Sequence, residues 1–439
     1  NTAVGDRALR ANTTGIDNTA VGFAALGDNT TADGNTAVGY FSLPINTIGN
    51  HNAAFGYESL RSNITGSKNV AIGRAALYNN IVGEYNVATG YQALYNGTTG
   101  ASNTAIGYQA LYTQTNSTSN TAIGYQALYS NTGSDNTAVG YSALHSNTTG
   151  TLNTAIGFNS LYHGGGNCTA VGHNSLLENS GTDNVAVGLS SLKNNTTGLY
   201  NTAIGTYALR GATGNAQAGN TAVGYLALSS NSSGDGNVAV GRGALSDNTI
   251  GYRNVAIGKD TMVVNTSGSQ IVGVGYQSLW SNTEGNNNNA LGYNSLYFNS
   301  IGKENVAVGS QAMVANTEGD DNVAIGMQAL GKNTTGDHNV AIGAYANNDN
   351  AAPTNASNTI CIGWNALSTA SNEITLGNAS ITKLRCQEIN ISSLSDERDK
   401  KDIIDIPYGL DLINNLQPRQ FTWAMRGEPD SNPHQGTTR

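Results

Sequence analysis

Groups able to do covalent or acid–base chemistry are scarce among these 439 residues. The six His are scattered without a His-x-His pair, and the three Cys (Cys168, Cys361, Cys386) follow no disulfide or zinc spacing. No pair of carboxylates recurs at a fixed interval, so hydrolysis of an external substrate is not expected. No cofactor and no bound metal is expected either. The densest polar group is Ser395-Asp-Glu-Arg-Asp-Lys-Lys-Asp402. Ser395 followed by Asp396 and Glu397 suits a helix N-terminus, with a hydroxyl cap and two acids in the first turn. Leu410, Ile413 and Leu416 then space like a short amphipathic helix that stops before Pro418. Phe421, Trp423 and Met425 alternate like a strand. Residues 395–439 therefore read as the beginning of a small α+β domain, too short to hold a core alone.

What precedes this segment is one sentence written over and over. Asn-Thr-Ala-Val-Gly-Tyr-Gln-Ala-Leu-Tyr-Ser-Asn-Thr-Thr-Gly plus two polar residues is repeated with a core Gly in 23 copies, from Gly5 to Gly377. Sixteen of the 22 intervals between those Gly are 17 residues long. A unit this short cannot be a domain, so each copy must be one coil of a stack whose core exists only through its neighbours. Numbered from its Asn, the repeat has Thr or Val at position 2, Ala at 3, Val or Ile at 4, and Gly at 5. That is a short strand with period two. Its Thr/Val and Val/Ile face is expected to enter the core. Its Ala/Gly face is expected to meet something too close for a larger side chain. Position 9 is Leu in 19 of the 23 copies and marks a second buried site, with a second short strand expected around it. Gly at positions 5 and 15 excludes a helix. The fold class is therefore all-β: a parallel β-roll or β-solenoid over residues 1–380, with a connector over 381–394. At about 4.8 Å per coil the stack spans roughly 110 Å.

A core of one Leu and one or two β-branched residues per coil is meagre, which favours several chains around a common axis. A homotrimer is expected, with Ala and Gly at the close contact. Register slips, as between Gly157 and Gly188, Gly205 and Gly224, or Gly343 and Gly363, should place protruding or tightened loops. Tyr recurs at position 6 (Tyr91, Tyr108, Tyr125) and position 10 (Tyr78, Tyr95, Tyr112, Tyr129). Such columns could hold sugars, but stacking between neighbouring coils is the favoured reading. The net charge of -9 is thinly spread with no basic patch, which excludes nucleic-acid binding. No apolar run is long enough to cross a membrane. The chain opens at the first position of a repeat without Met and is read as a piece of a longer protein.

Two segments resemble known families. Asn-Thr-Ala-Val-Gly with a following Ala-Leu resembles the head repeats of trimeric autotransporter adhesins of the YadA type, whose repeat is shorter. That resemblance implies trimers of left-handed parallel β-rolls. Ile374-Thr-Leu-Gly-Asn…Leu384-Arg-Cys, then Ser395-Asp-Glu-Arg-Asp-Lys-Lys-Asp-Ile, resembles the entry to the S74 peptidase domain, over about a third of that domain. In phage tail fibres and endosialidase tailspikes this domain is a C-terminal intramolecular chaperone that trimerises, directs folding and cuts itself off. The resemblance implies cleavage between Ser395 and Asp396, with Ser395 as nucleophile and Lys400 assisting. A Ser–Lys dyad needs a neutral Lys as general base. Five residues turn a helix by about 140°, so Ser395 must lie outside the helix or Lys400 must serve a neighbouring chain. Without the resemblance, Ser395 is a cap and Lys400 a solvated charge. The function these readings imply is a trimeric virion fibre for host-surface attachment, at the virion surface or otherwise extracellular. Its expected partners are a host receptor, taken as a glycan, and virion proteins reached through a missing N-terminus. A bacterial trimeric cell-surface adhesin is the alternative.

Overall fold

A computed structural model describes residues 1–211, 216–348 and 353–385. The chain divides into two units, Asn1–Ile381 and Thr382–Arg439. The first is a parallel β-solenoid whose coils form a single 23-stranded sheet, and no helix occurs among the described residues. Each coil contributes one three-residue strand, from β1 (Thr2–Val4) and β2 (Thr19–Val21) through to β23 (Ile374–Leu376). Strands pair in sequence order and in identical register: Val70, Ala71 and Ile72 lie beside Val87, Ala88 and Thr89. The register survives every change of repeat length. Thr154 still pairs with Thr169, Thr202 with Thr221, and Val340 with Ile360. Inserted and deleted residues are absorbed in the turns. Of the two longest intervals, residues 212–215 and 349–352 fall outside the described set.

The second strand expected around position 9 is absent. Positions 7 and 9 instead take left-handed backbone, as do Gln92 (φ 54°) and Leu94 (φ 51°), and a third such residue closes the coil at position 17, as Tyr85 (φ 58°) does. A left-handed non-Gly residue costs about 1–2 kcal/mol. Complete burial of the Leu, about 1.5–3 kcal/mol, outweighs it. The turns also keep a ladder of their own. Leu77 N–H donates to Ala93 O at 3.0 Å, Asn79 to Tyr95 O at 3.0 Å and Ile81 to Thr98 O at 2.9 Å. Backbone groups are thus paired from coil to coil without β geometry.

The inside and outside of the strand are also the reverse of the expectation. Ala71 and Ala88 at position 3 are fully buried, whereas Ile72 at position 4 is 43% exposed. The interior of so thin a coil accommodates Ala on the strand, Ala or Ser at position 8 and Leu at position 9. The β-branched residues are turned outward. The partner that the Gly at position 5 cannot tolerate at close range is the next coil, not another chain. A Cβ on Gly73 would sit 2.6 Å from Gly90 O, and its φ of +129° belongs to Gly alone. Ala and Gly therefore cannot form the chain-to-chain contact proposed for them.

Two columns of Asn complete the interior. At position 1, Asn52 receives its neighbour's pairing: its N–H donates to Asn35 Oδ1 (2.8 Å) and its Nδ2 to Gly66 O (2.8 Å). At position 12, Asn63 Nδ2 donates to Asn46 Oδ1 (2.8 Å) and Gly66 O (2.9 Å). These amides are fully buried, and their satisfaction is what makes that burial affordable in free energy.

Candidate functional site

Ser395, Asp396 and Lys400 lie outside the described residues, as does the α+β domain expected after them. The described residues form the surface of the solenoid, and two features repeat along it.

The first is an apolar stripe. Position 4 points out of every coil, and Phe55, Ile72, Ile106, Ile123, Ile156, Ile204, Ile257, Leu291, Ile325 and Ile342 are all exposed on it. Position 6 runs beside it with Tyr40, Tyr57, Tyr108, Tyr125, Tyr141 and Phe158, also exposed. Single exposed apolar residues are ordinary, whereas here they are aligned in a row along the solenoid, interrupted by Thr89. Sequence reasoning placed the position 4 residues inside. The signal that could have corrected it is the Ala beside them, because only that face fits a narrow interior.

The second is a pair of ring stacks. At position 6, Tyr91, Tyr108, Tyr125, Tyr141, Phe158 and His173 follow one another at 4.9–5.2 Å. At position 10, Tyr78, Tyr95, Tyr112, Tyr129, His145 and Tyr162 do so at 4.9–5.3 Å. Each ring within a stack covers the face of the next, so the faces a sugar would use are occupied. Offset stacking stiffens the rod instead. Cations cap the rings in places: Arg74 lies 5.5 Å from the Tyr91 centroid and Lys259 5.3 Å from that of Tyr276.

His145 is the imidazole in the second stack, among tyrosines. Burial between Tyr129 and Tyr162, and then the nearby His163, push its pKa below the usual value. Cys168 stands where other coils carry the position 1 Asn, and Cys361 where they carry Ala. Burial raises both thiols, so neither has the thiolate character of a nucleophile. Among the described residues no three His, Cys, Asp or Glu side chains come together to hold a metal. Among them, too, no helix is long and apolar enough to cross a membrane.

No curated protein and no solved structure matches the chain. Residues 395–438 match the family model of Peptidase_S74, the chaperone of endosialidase, and a solenoid of 17-residue coils leading to that segment fits a tail fibre or tailspike bearing an S74 domain.

Proposed function

We propose that the chain is the shaft of a trimeric virion fibre that attaches to a host surface, joined to a self-removing chaperone that begins at Ser395. The observation that supports trimerisation best is the outward apolar stripe of position 4. Three solenoids that bury this stripe along a common axis remove a long row of Ile, Val and Leu from water, at about 25 cal/mol per Å² of apolar surface. The same stripe replaces the Ala/Gly face as the contact. A parallel stack also needs a nucleus, because its first coil has nothing to build on. A chaperone at the C-terminal end supplies one. Once it leaves, the shaft can unfold but not readily reassemble, and is held kinetically.

In this reading water cleaves the Ser395–Asp396 bond. Lys400 takes the proton of the Ser395 hydroxyl, whose oxygen adds to the scissile carbonyl carbon. The C–N bond breaks as Lys400 passes that proton to the Asp396 nitrogen, which becomes the N-terminus of the released part. Water then hydrolyses the ester so formed, restoring the hydroxyl and leaving a carboxylate on Ser395. The glycan receptor and the virion partners belong to the same proposal. The bacterial adhesin alternative shares the rod but offers no account of the match over 395–438. Light scattering on the full gene product tests the assembly. Three chains per particle are expected, and a stable monomer at micromolar concentration would refute the trimer.

A further inference from the structure

Along the ring stacks, positions 7 and 10 are filled by Gln92, Gln109 and Gln126 and by Tyr78, Tyr95, Tyr112 and Tyr129. In the second coil the same positions hold Ala24 and Gly27. The row of side chains is interrupted there, and a notch of about 460 Å³ opens. Ala24 and Gly27 form its floor. Arg7 and Arg10 of the first coil stand on one side, Phe41 and Pro44 of the third on the other, and Arg61 beyond. This is the size range of small-ligand sites, which combine apolar walls with a few placed polar groups.

Guanidinium groups predominate among the polar groups, with Asp28 and Ser62 beside them. Three guanidinium groups line the notch with a single carboxylate, Asp28, on a chain whose overall charge is -9. Arg10 Nη2 donates to Asp28 Oδ1 at 2.8 Å, one of the five N–H donors a guanidinium carries. Arg61 is held by stacking: its guanidinium carbon lies 5.9 Å from the Phe41 centroid and 5.4 Å from that of Tyr78, while Glu58 sits 3.4 Å from its Nε. Arg7 lies over Phe23 at 5.5 Å, with Asp6 3.9 Å away. Planar forks of donors beside an apolar floor and an aromatic wall suit a ring with one apolar face and one carboxylate.

We propose that this notch binds a carboxylate-bearing sugar, its C–H face on Ala24, Phe41 and Pro44 and its carboxylate on Arg7 and Arg10. The proposal rests on the attachment reading above and names the class of glycan and the place. A sialic acid and a uronic acid share the required chemistry, and separate probes distinguish them.

The experiment titrates the full chain with 3′-sialyllactose, with a glucuronate-terminated disaccharide and with lactose as the neutral control. The variants are Gly27→Tyr, which fills the notch with the residue its column carries elsewhere, Ala24→Gln, which does the same at position 7 if Gly27→Tyr fails to fold, and Arg10→Gln. Binding of at least one acidic sugar, absence of lactose binding, and a loss of tenfold or more in the folded variants are expected. Equal binding of lactose overturns carboxylate recognition. Acidic-sugar binding that every folded variant retains places the site elsewhere and overturns the notch. A fibre that binds neither acidic sugar yet adheres to a panel of bacterial cells overturns the notch and leaves attachment standing. A fibre that adheres to no cells and binds no sugar sinks both readings.

Discussion

Asn80 Oδ1 is a buried acceptor without a hydrogen-bond partner, and its neighbours explain why. In the position 12 column, where successive coils both carry Asn, the Nδ2 of one donates to the Oδ1 of the coil before it, as Asn80 does to Asn63 at 2.7 Å. The residue that should donate to Asn80 is Gly97. Gly97→Asn is therefore expected to complete the ladder. An unsatisfied buried acceptor costs about 1–3 kcal/mol, and replacing Gly adds about 0.4–1 kcal/mol by restricting the unfolded chain. Against this, a Cβ at Gly97 would stand 3.1 Å from Leu94 Cγ, so Leu94 must shift by a few tenths of an ångström. An off-rotamer Leu costs about 0.5–1.5 kcal/mol. The net gain is about 1–2 kcal/mol, a factor of roughly 5–30 in the local opening equilibrium. Hydrogen exchange resolves this coil by coil, because a solenoid's stability is set by adjacent units. The Leu77 and Leu94 amides, which donate to Ala93 O and Ala110 O, should exchange that much more slowly. Gly97→Ala supplies the Cβ and the entropy without the amide. If Asn protects these amides no better than Ala, the Asn ladder is not what stabilises the interior.

Three further outcomes follow from the geometry. Gly73→Ala should destabilise its coil by more than the roughly 1–3 kcal/mol of backbone strain alone, since the Cβ also meets Gly90 O, and thermal melting measures it. Ile106→Asp with Ile123→Asp should leave the far-UV strand and turn spectrum intact but shift light scattering from trimer to monomer; loss of the spectrum itself would show that these residues serve the coil. His145 has a depressed pKa, so the unfolded chain takes up its proton first. Its contribution to stability is present above the ordinary value of 6.5 and is lost as pH falls below it, and in His145→Tyr, which restores the column's ring, melting should lose that part of its acid dependence.

The stacking of coils was legible because Gly at position 5 and Leu at position 9 recur whatever surrounds them. The orientation of the strand was not, because the alternation Thr-Ala-Val has two faces and the bulkier one is ordinarily the buried one. Here the narrow interior selects Ala. That Asn lies above Asn from coil to coil was legible from its return at fixed positions; that the amides at positions 1 and 12 are buried inside the coil and bonded to one another there was not. The left-handed Leu could not be anticipated from propensity, since Leu is a poor choice for that backbone and is kept there by burial alone. The ring stacks were legible from their columns. The notch was not, because it consists of two small residues among many and acquires meaning only from what the adjoining coils place around it.

The central claim is that this shaft is matured by a C-terminal chaperone that removes itself at Ser395. Intact-mass spectrometry on the product of the complete gene tests it most directly. The account predicts a chain that ends at Ser395 and a separate fragment that begins at Asp396, with Ser395→Ala and Lys400→Ala left uncut yet still trimeric. A wild-type product that stays in one piece after maturation would contradict it.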